Sequence, residues 1–493
     1  MERQFCGIKR EYRLKPPVWN LLVVIVLLVG CAKNLLTLLP DFGVNALNAG
    51  NTRRKSVVVV GAGVGGLAVA SRVASRCGSA VEVTIVEKNE YVGGRCGSFH
   101  VEVPGYGSFR HDRGPSLLLL PEIYERLFTD CGSTAAENGI ELLKCVPAYQ
   151  IVFDDGEHIS VGFRRSVEGA ELCADEKRSR KQMDRLEDNG ALKWDAYLKS
   201  CEAFLDCGLP NFIEERLDLS SFPSFLRESL RDFGRAWPLK PHSDVLEGFF
   251  TSNKMRALAS FQDLYVGLEP YRDETKLFGG VMSSTAPAVF GLLSAIELHP
   301  TSKKCGVFAP RGGFAAVTQS FMNLAERTGV KVITNASVTR ISSSNVEYEK
   351  DGKSFDLVAD SVVVNADLPY SSKVLVEDTR NASFPRYDWD DSFRLGCGVV
   401  AFHWAVGRRL DVLNTHNVFL ESENFKRILQ SWDVVRKGSA HDFSGPFNFY
   451  VHRASAVDSS AAPSVRSCSK CRDVAQLECS HLANFRVVTV SWS

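Results

Sequence analysis

Apolar and polar positions alternate most informatively between Lys55 and Gly97. Four consecutive valines, Val57–Val60, make the short unbroken apolar run of a strand buried on both faces. Apolar residues then recur at helical spacing through Leu67, Val69, Ala70 and Val73, and a second apolar strand runs from Val81 to Val86. Further on, Glu122–Cys131 is helical by pattern. Residues 140–163 alternate as strands, with Tyr149–Phe153 turning back at Asp154-Asp155-Gly156. Arg164–Asn189 is rich in charge and poor in apolar residues, which predicts a solvated loop or helix surface. Pro210–Ala257 is helical but repeatedly broken by Pro, and Lys254–Leu268 reads as one more helix. A helix over Ala315–Thr328, a strand region from Lys331 to Val338, paired strands turning at Lys350-Asp351-Gly352 and a last strand at Ser361–Asn365 follow. The pattern alone predicts an α/β protein.

The turn between the first strand and helix carries the chemistry. It reads Gly61-Ala62-Gly63-Val64-Gly65-Gly66 and fits G-x-G-x-x-G. Gly61 permits the tight turn, Gly63 lets backbone approach a pyrophosphate, and Gly66 allows close helix–strand packing. The helix N-terminus adds free N–H groups and a positive dipole end. Glu87, 21 positions after Gly66, stands where a carboxylate meets the ribose hydroxyls of a dinucleotide. A second pair, Gly93-Gly94, follows with Arg95. An extended flavin dinucleotide needs backbone close to its pyrophosphate a second time, and Arg95 suits that charge.

Composition narrows the alternatives. Lys plus Arg and Asp plus Glu total 58 each, so no excess charge points to nucleic acid. Fourteen Cys in 493 residues form no dense framework and argue against a disulfide scaffold. Cys468, Cys471, Cys479 and His481 miss the spacing of a zinc site, so no metal is expected. Lys9, Arg10, Arg13 and Lys15 precede the apolar run Leu21–Val29, which ends in Gly30-Cys31-Ala32. That run is short for a membrane span and suits a signal or anchor segment. Phe222, Phe225, Leu226, Leu230, Phe233 and Trp237 recur at helical spacing beside Arg227, Arg231 and Arg235. Such a helix suits either a membrane surface or packing on the core.

Gly-Ala-Gly-x-Gly-Gly-Leu at 61–67, Glu87-Lys88 and Gly93-Gly94-Arg95 together resemble the amine-oxidase-type FAD fold, in particular the phytoene desaturase family of carotenoid enzymes. Pro310-Arg311-Gly312-Gly313-Phe314, Ala366-Asp367-Leu368-Pro369 and Ser455–Pro463 extend the resemblance over Lys55–Pro463. It implies a Rossmann-type FAD-binding domain interleaved with an α+β substrate domain. FAD would be held by Gly61, Ala62, Gly63, Gly65, Gly66, Glu87, Lys88, Gly93, Gly94 and Arg95, with the Val338 backbone at the adenine end and the strand into Asn365 beside the phosphates. Asp112, in Asp112-Arg113-Gly114-Pro115-Ser116, lies near the flavin by this resemblance and is the candidate proton acceptor. The residues themselves equally suit a turn or cap. Cys397–Trp404, Asn414–Leu420 and Phe447–Val451 resemble the substrate-domain sheet.

The implied division is a targeting or anchor segment with linker (1–54), FAD-binding parts at 55–115 and 305–375, substrate parts at 116–304 and 376–463, and a divergent tail (464–493). In the tail the family's glycine-rich closing segment is replaced, which suggests a truncated or misread gene end. The expected activity is FAD-dependent desaturation of a long apolar polyene such as phytoene, drawn from a membrane surface of a plastid or other endomembrane. A carotenoid isomerase, an amine-oxidase-like flavoenzyme and a non-catalytic relative are the alternatives, and the electron acceptor is open.

Overall fold

The computed structural model describes residues 53–165, 170–210, 240–271, 286–301, 305–376, 401–406, 410–432, 446 and 448–463. The N-terminal segment, the arginine-striped stretch within 211–239 and the cysteine-bearing tail lie outside them. From Lys55 the chain runs through β1 (Lys55–Val60), α1 (Val64–Cys77) and β2 (Val81–Val86) into a hairpin, β3 (Ser98–Val103) and β4 (Gly107–Asp112). Helix α2 (Pro121–Asp130), β5 (Leu142–Lys144), β6 (Tyr149–Phe153) and β7 (His158–Val161) follow. Next come α3 (Ala174–Leu186), α4 (Gly190–Gly208), α5 (His242–Phe249), α6 (Asn253–Ser260) and α7 (Leu292–Leu298). Strand β8 (Phe308–Pro310) leads to α8 (Phe314–Arg327), β9 (Lys331–Ile333), β10 (Ser337–Ile341), β11 (Asn345–Lys350), β12 (Lys353–Val358) and β13 (Ser361–Val364). The last elements are β14 (His416–Leu420), α9 (Phe425–Ser431) and β15 (Phe449–His452).

The first sheet is parallel, with strand order β13-β1-β2-β9. Its central strand explains the valine run. Val59 packs toward α1 and α8 with Leu67, Phe314 and Phe321, while Val58 and Val60 pack on the other face with Val338, Ile341 and Tyr348. A strand covered on both sides has no polar face to show. Helix α1 lies close enough to β1 that a Cβ on Gly66 would stand 2.0 Å from the Gly61 carbonyl oxygen. A second sheet, β15-β14-β6-β7, mixes parallel and antiparallel pairs and is backed by α4, α6 and α7 in a separate core. The α/β class and the dinucleotide-type unit beside an α+β unit are as expected.

Two elements differ from expectation, and the charged segment takes one of the two forms expected of it. The helix expected over 254–268 ends at Ser260 and continues as a 3₁₀ turn, Phe261–Val266, stopped by Gly267 in the left-handed region (φ 66°). The charged segment holds helix α3, because its charges are paired: Arg165 meets Glu176, and Arg180 forks onto Asp195 at 2.9 and 2.7 Å. The strand expected over 397–404 is irregular at 401–404, its earlier residues lying outside those described.

One buried ion pair ties the two sheets' surroundings together. Arg110 of β4 and Asp458 meet at 2.9 Å with side chains 6% and 1% exposed. The same carboxylate accepts from Gly312 N–H (2.8 Å), Ser460 N–H (3.1 Å) and Ser460 Oγ (2.7 Å). Burial alone pushes the Asp458 carboxyl up; the hydrogen bonds from Gly312, Ser460 and Arg110 outweigh it and leave it at about 2. Asp458→Asn leaves Arg110 as an uncompensated buried charge, and we expect a loss of about 3–5 kcal/mol in chemical denaturation. A folded value depressed below 3.8 gives stability that is complete above that pH and is lost as pH falls toward about 2. The gap in denaturation midpoint between wild type and Asp458→Asn therefore stays constant above pH 3.8 and closes below it; a gap unchanged down to about 2 refutes this account. Gly66→Ala, which drives a methyl into backbone, should cost about 1–3 kcal/mol, measured the same way.

Candidate dinucleotide site

The C-terminal ends of β13, β1, β2 and β9 form one edge of the first sheet. Chain order reverses at β1, which has β2 on one side and β13 on the other, so a crevice opens there at a topological switch point. Gly61 begins the turn above β1, its N–H donating to the Val86 carbonyl at 2.8 Å. Helix α1 starts at Val64 with Gly63 as its cap residue and no side-chain cap. Its first-turn N–H groups, at Val64, Gly65 and Gly66, thus have no partner within the helix and point a positive end at the crevice.

Glu87 follows β2 and is 5% exposed. Its Oε2 accepts from Ala62 N–H at 2.7 Å, and its Oε1 from the N–H and side-chain amide of Asn89 at 3.0 and 2.7 Å. A carboxylate has about four acceptor positions, so Glu87 holds the glycine turn in shape with capacity left for a ligand hydroxyl. Lys88 beside it is exposed. The Glu87 carbonyl accepts from Ala336 N–H at 2.9 Å, which brings the start of β10 to the same edge. Val338 there is buried against the β1–β2 core, pairing with Tyr348.

The second glycine pair folds back on the first. Gly93 N–H donates to the Ala62 carbonyl at 2.8 Å, and Gly93 and Gly63 pair as in a parallel ladder. A Cβ on Gly94 would stand 3.5 Å from Gly63 Cα, so the two turns line one narrow space that side chains would fill. Arg95 is exposed at its rim. The structure therefore brings together Gly61, Ala62, Gly63, Gly65, Gly66, Glu87, Gly93 and Gly94.

Asp112 lies at the end of β4. Its Oδ1 accepts from Ser98 Oγ at 2.5 Å and from Phe314 N–H at 2.9 Å, at the first residue of α8. It thereby joins the hairpin to the helix that follows the Pro310–Phe314 turn. The strand expected beside the phosphates ends at this crevice in Asn365, and one further group of residues, the histidines below, carried no legible signal. Asn365 places its side-chain amide 3.2 Å from the Gly61 carbonyl and closes the crevice opposite α1. The imidazoles of His111, His403, His416 and His452 gather between β4 and the β14–β15 edge, with His111 and His403 rings 5.2 Å apart and His416 and His452 rings 5.0 Å apart. Burial lowers His111, and His403 adds to it; burial lowers His452 to about 4. Only strand register puts these residues together, which no local pattern reports.

Residues 59–132 match the NAD(P)-binding Rossmann-like domain family. The chain is 30% identical over 422 residues to a phytoene desaturase of Fusarium fujikuroi, covering 83% of this chain and 64% of that protein. It is 32% identical over 426 residues to a phytoene desaturase of Cercospora nicotianae, covering 84% and 59%. Against a zeta-carotene-forming phytoene desaturase of Myxococcus xanthus the identity is 28% over 420 residues, covering 84% and 71%. The chain thus spans 64% and 59% of the length of the first two relatives. With the strand, glycine turn, helix and acid in place, the chain is similar to phytoene desaturases through more than four fifths of its length.

Proposed function

We propose that this chain is an FAD-dependent oxidoreductase that desaturates a long apolar polyene of the phytoene type. The observation that carries the cofactor is the apposition of Gly93-Gly94 on Gly61–Gly63. A dinucleotide bound there would meet backbone N–H groups and bare glycine Cα atoms of both turns, with the α1 N-terminus offering its positive end to the pyrophosphate charge. Glu87 suits the ribose, the backbone at Val338 suits the adenine end, and Arg95 offsets phosphate charge from the rim. A bound flavin supplies two-electron oxidation, the chemistry a saturated carbon–carbon bond needs to become a double bond. The protein's part is to orient the chain of carbons, keep water out and take the proton.

The polyene comes from the relatives' substrates as named: phytoene in Fusarium fujikuroi and Cercospora nicotianae. A hydrocarbon of that kind partitions into bilayers, so the enzyme has to meet a membrane. We infer association through the N-terminal basic and apolar segment, on a plastid or other endomembrane. Among the described residues no helix is long and apolar enough to cross a bilayer.

The purified full chain is expected to carry bound flavin absorbance and to turn over liposome-held polyene with an added electron acceptor, yet not a soluble amine. Absent flavin, or amine oxidation without lipid, would overturn the reading. Gly94→Ala separates folding from binding. Gly94 sits at φ 58°, where an L-residue is strained by roughly 1–2 kcal/mol, but the new methyl meets nothing closer than 3.5 Å. The variant should fold and lose most of its retained flavin, read as the absorbance ratio after gel filtration; full retention would show that the second turn does not face the cofactor.

A further inference from the structure

His416 and His452 are opposite one another in the β14–β15 ladder. Their rings stack at 5.0 Å and 7°, and the Tyr450 ring lies nearly parallel to His416 at 6.0 Å. His416 Nδ1 and the Tyr450 hydroxyl are 2.6 Å apart, and that hydroxyl is 2.9 Å from Ser116 Oγ. His416 is fully buried, yet its Nε2 has no hydrogen-bond partner among the described residues. Leaving such a nitrogen bare costs about 1–3 kcal/mol, which a fold tolerates where the atom has other work. The seam also faces the dinucleotide unit. His452 feels Asp112, Arg110 and His111, all on β4, the strand that Asp112 links to the start of α8.

We propose, resting on the desaturase reading above, that His416 is the proton acceptor of the reaction and that Tyr450 and Ser116 carry the proton away. Desaturation breaks two C–H bonds on adjacent carbons. One hydrogen leaves with its electron pair to the flavin-class oxidant, and the other leaves as a proton while its bonding pair becomes the new π bond. His416 Nε2 takes that proton. Nδ1 gives its own to the Tyr450 oxygen, Tyr450 passes its hydroxyl proton to Ser116, and Ser116, which is half-buried at the Gly114-Pro115-Ser116 turn, releases one to water. Electrons and protons balance, and no side chain stays charged. The acceptor needs to be neutral rather than strongly basic, because a proton beside a carbon that has just lost a hydride is very acidic. Burial meets that need: it holds His416 well below 6.5, and the neighbouring His452 adds to the effect. Asp112, by contrast, already accepts from Ser98 and Phe314.

Two readouts test this on the flavin-loaded full chain. In ¹⁵N-histidine NMR at neutral pH, His416, assigned by its loss in His416→Gln, is expected to be neutral with its proton on Nδ1. Tyr450→Phe should move that proton to Nε2, because Nδ1 loses its acceptor. An imidazolium, or an Nε2–H tautomer in the wild type, overturns the proposal. In anaerobic single turnover with liposome-held polyene, flavin bleaching should slow about 10²–10⁴-fold in His416→Gln and at least about tenfold in Tyr450→Phe, with flavin content unchanged. Tyr450→Phe keeps the ring and decides the matter if His416→Gln fails to fold. Wild-type bleaching with variants equally fast sinks the histidine and leaves the desaturase reading standing; no bleaching in a flavin-loaded wild type sinks both.

Discussion

The Asp458 carboxylate is the constraint on which the site's geometry hangs. It is buried, ionised and shared among Arg110, Gly312 and Ser460, so it fixes β4, the turn before α8 and the 454–463 segment relative to one another. Removing two charges from water costs several kcal/mol per ion, and an ion pair alone does not reliably offset it. Here the remaining acceptor positions are filled by backbone and hydroxyl donors, the condition under which a buried pair holds. The consequence travels outward. With the Pro310–Phe314 turn fixed, Phe314 N–H meets Asp112, Thr318 on α8 donates to the Cys96 carbonyl at 2.6 Å, and a Cβ on Gly93 would stand 2.6 Å from Thr318. The second glycine turn is thus pressed against the first from behind.

That pressing explains why the two turns are glycine. Between Thr318 on one side and Asn365 on the other there is no room for side chains at Gly93 or Gly65: a Cβ at Gly65 would lie 2.7 Å from the Asn365 side-chain oxygen. What remains in the gap is backbone N–H, the helix end and Glu87. Such a surface recognises an elongated anion with hydroxyls rather than an apolar ligand. The apolar substrate proposed above would have to be met elsewhere.

Much of this was legible in the chain itself, and the reasons are local. Val57–Val60, Gly61–Gly66, Val81–Val86 and Glu87 lie within one βαβ unit whose spacing reflects a single turn and a single helix. Helix α8 and strands β6 and β13 fell where periodicity placed them, and β14 and β15 where the family resemblance placed them, within a residue or two at their ends. The β3–β4 hairpin went unread because it is only part-buried and its pattern is weak. The segment holding α3 read equally as loop or helix, because its stability draws on ion pairs rather than an apolar stripe. Asp458 could not be read as a clamp, since its partners lie 146 and 348 positions away. The histidine seam was equally silent, because a register of opposed strands leaves no spacing in the sequence.

The two polar features that escaped the sequence are treated oppositely by the same interior. Asp458 stays charged because donors surround it, and the His416 and His452 imidazoles stay neutral because burial lowers both. The boundary between the dinucleotide unit and the second sheet therefore keeps Asp458 ionised and His416 and His452 uncharged at neutral pH. An ionised acid with all its acceptor positions filled can hold segments in place but has no capacity to take a proton. A neutral imidazole with a bare nitrogen has that capacity and adds little to stability. Position alone had favoured a carboxylate, Asp112, for proton transfer. Its two donors, both on Oδ1, tie it into the same frame as Asp458, and the bare nitrogens of the buried histidines offer a further place for a proton at this boundary.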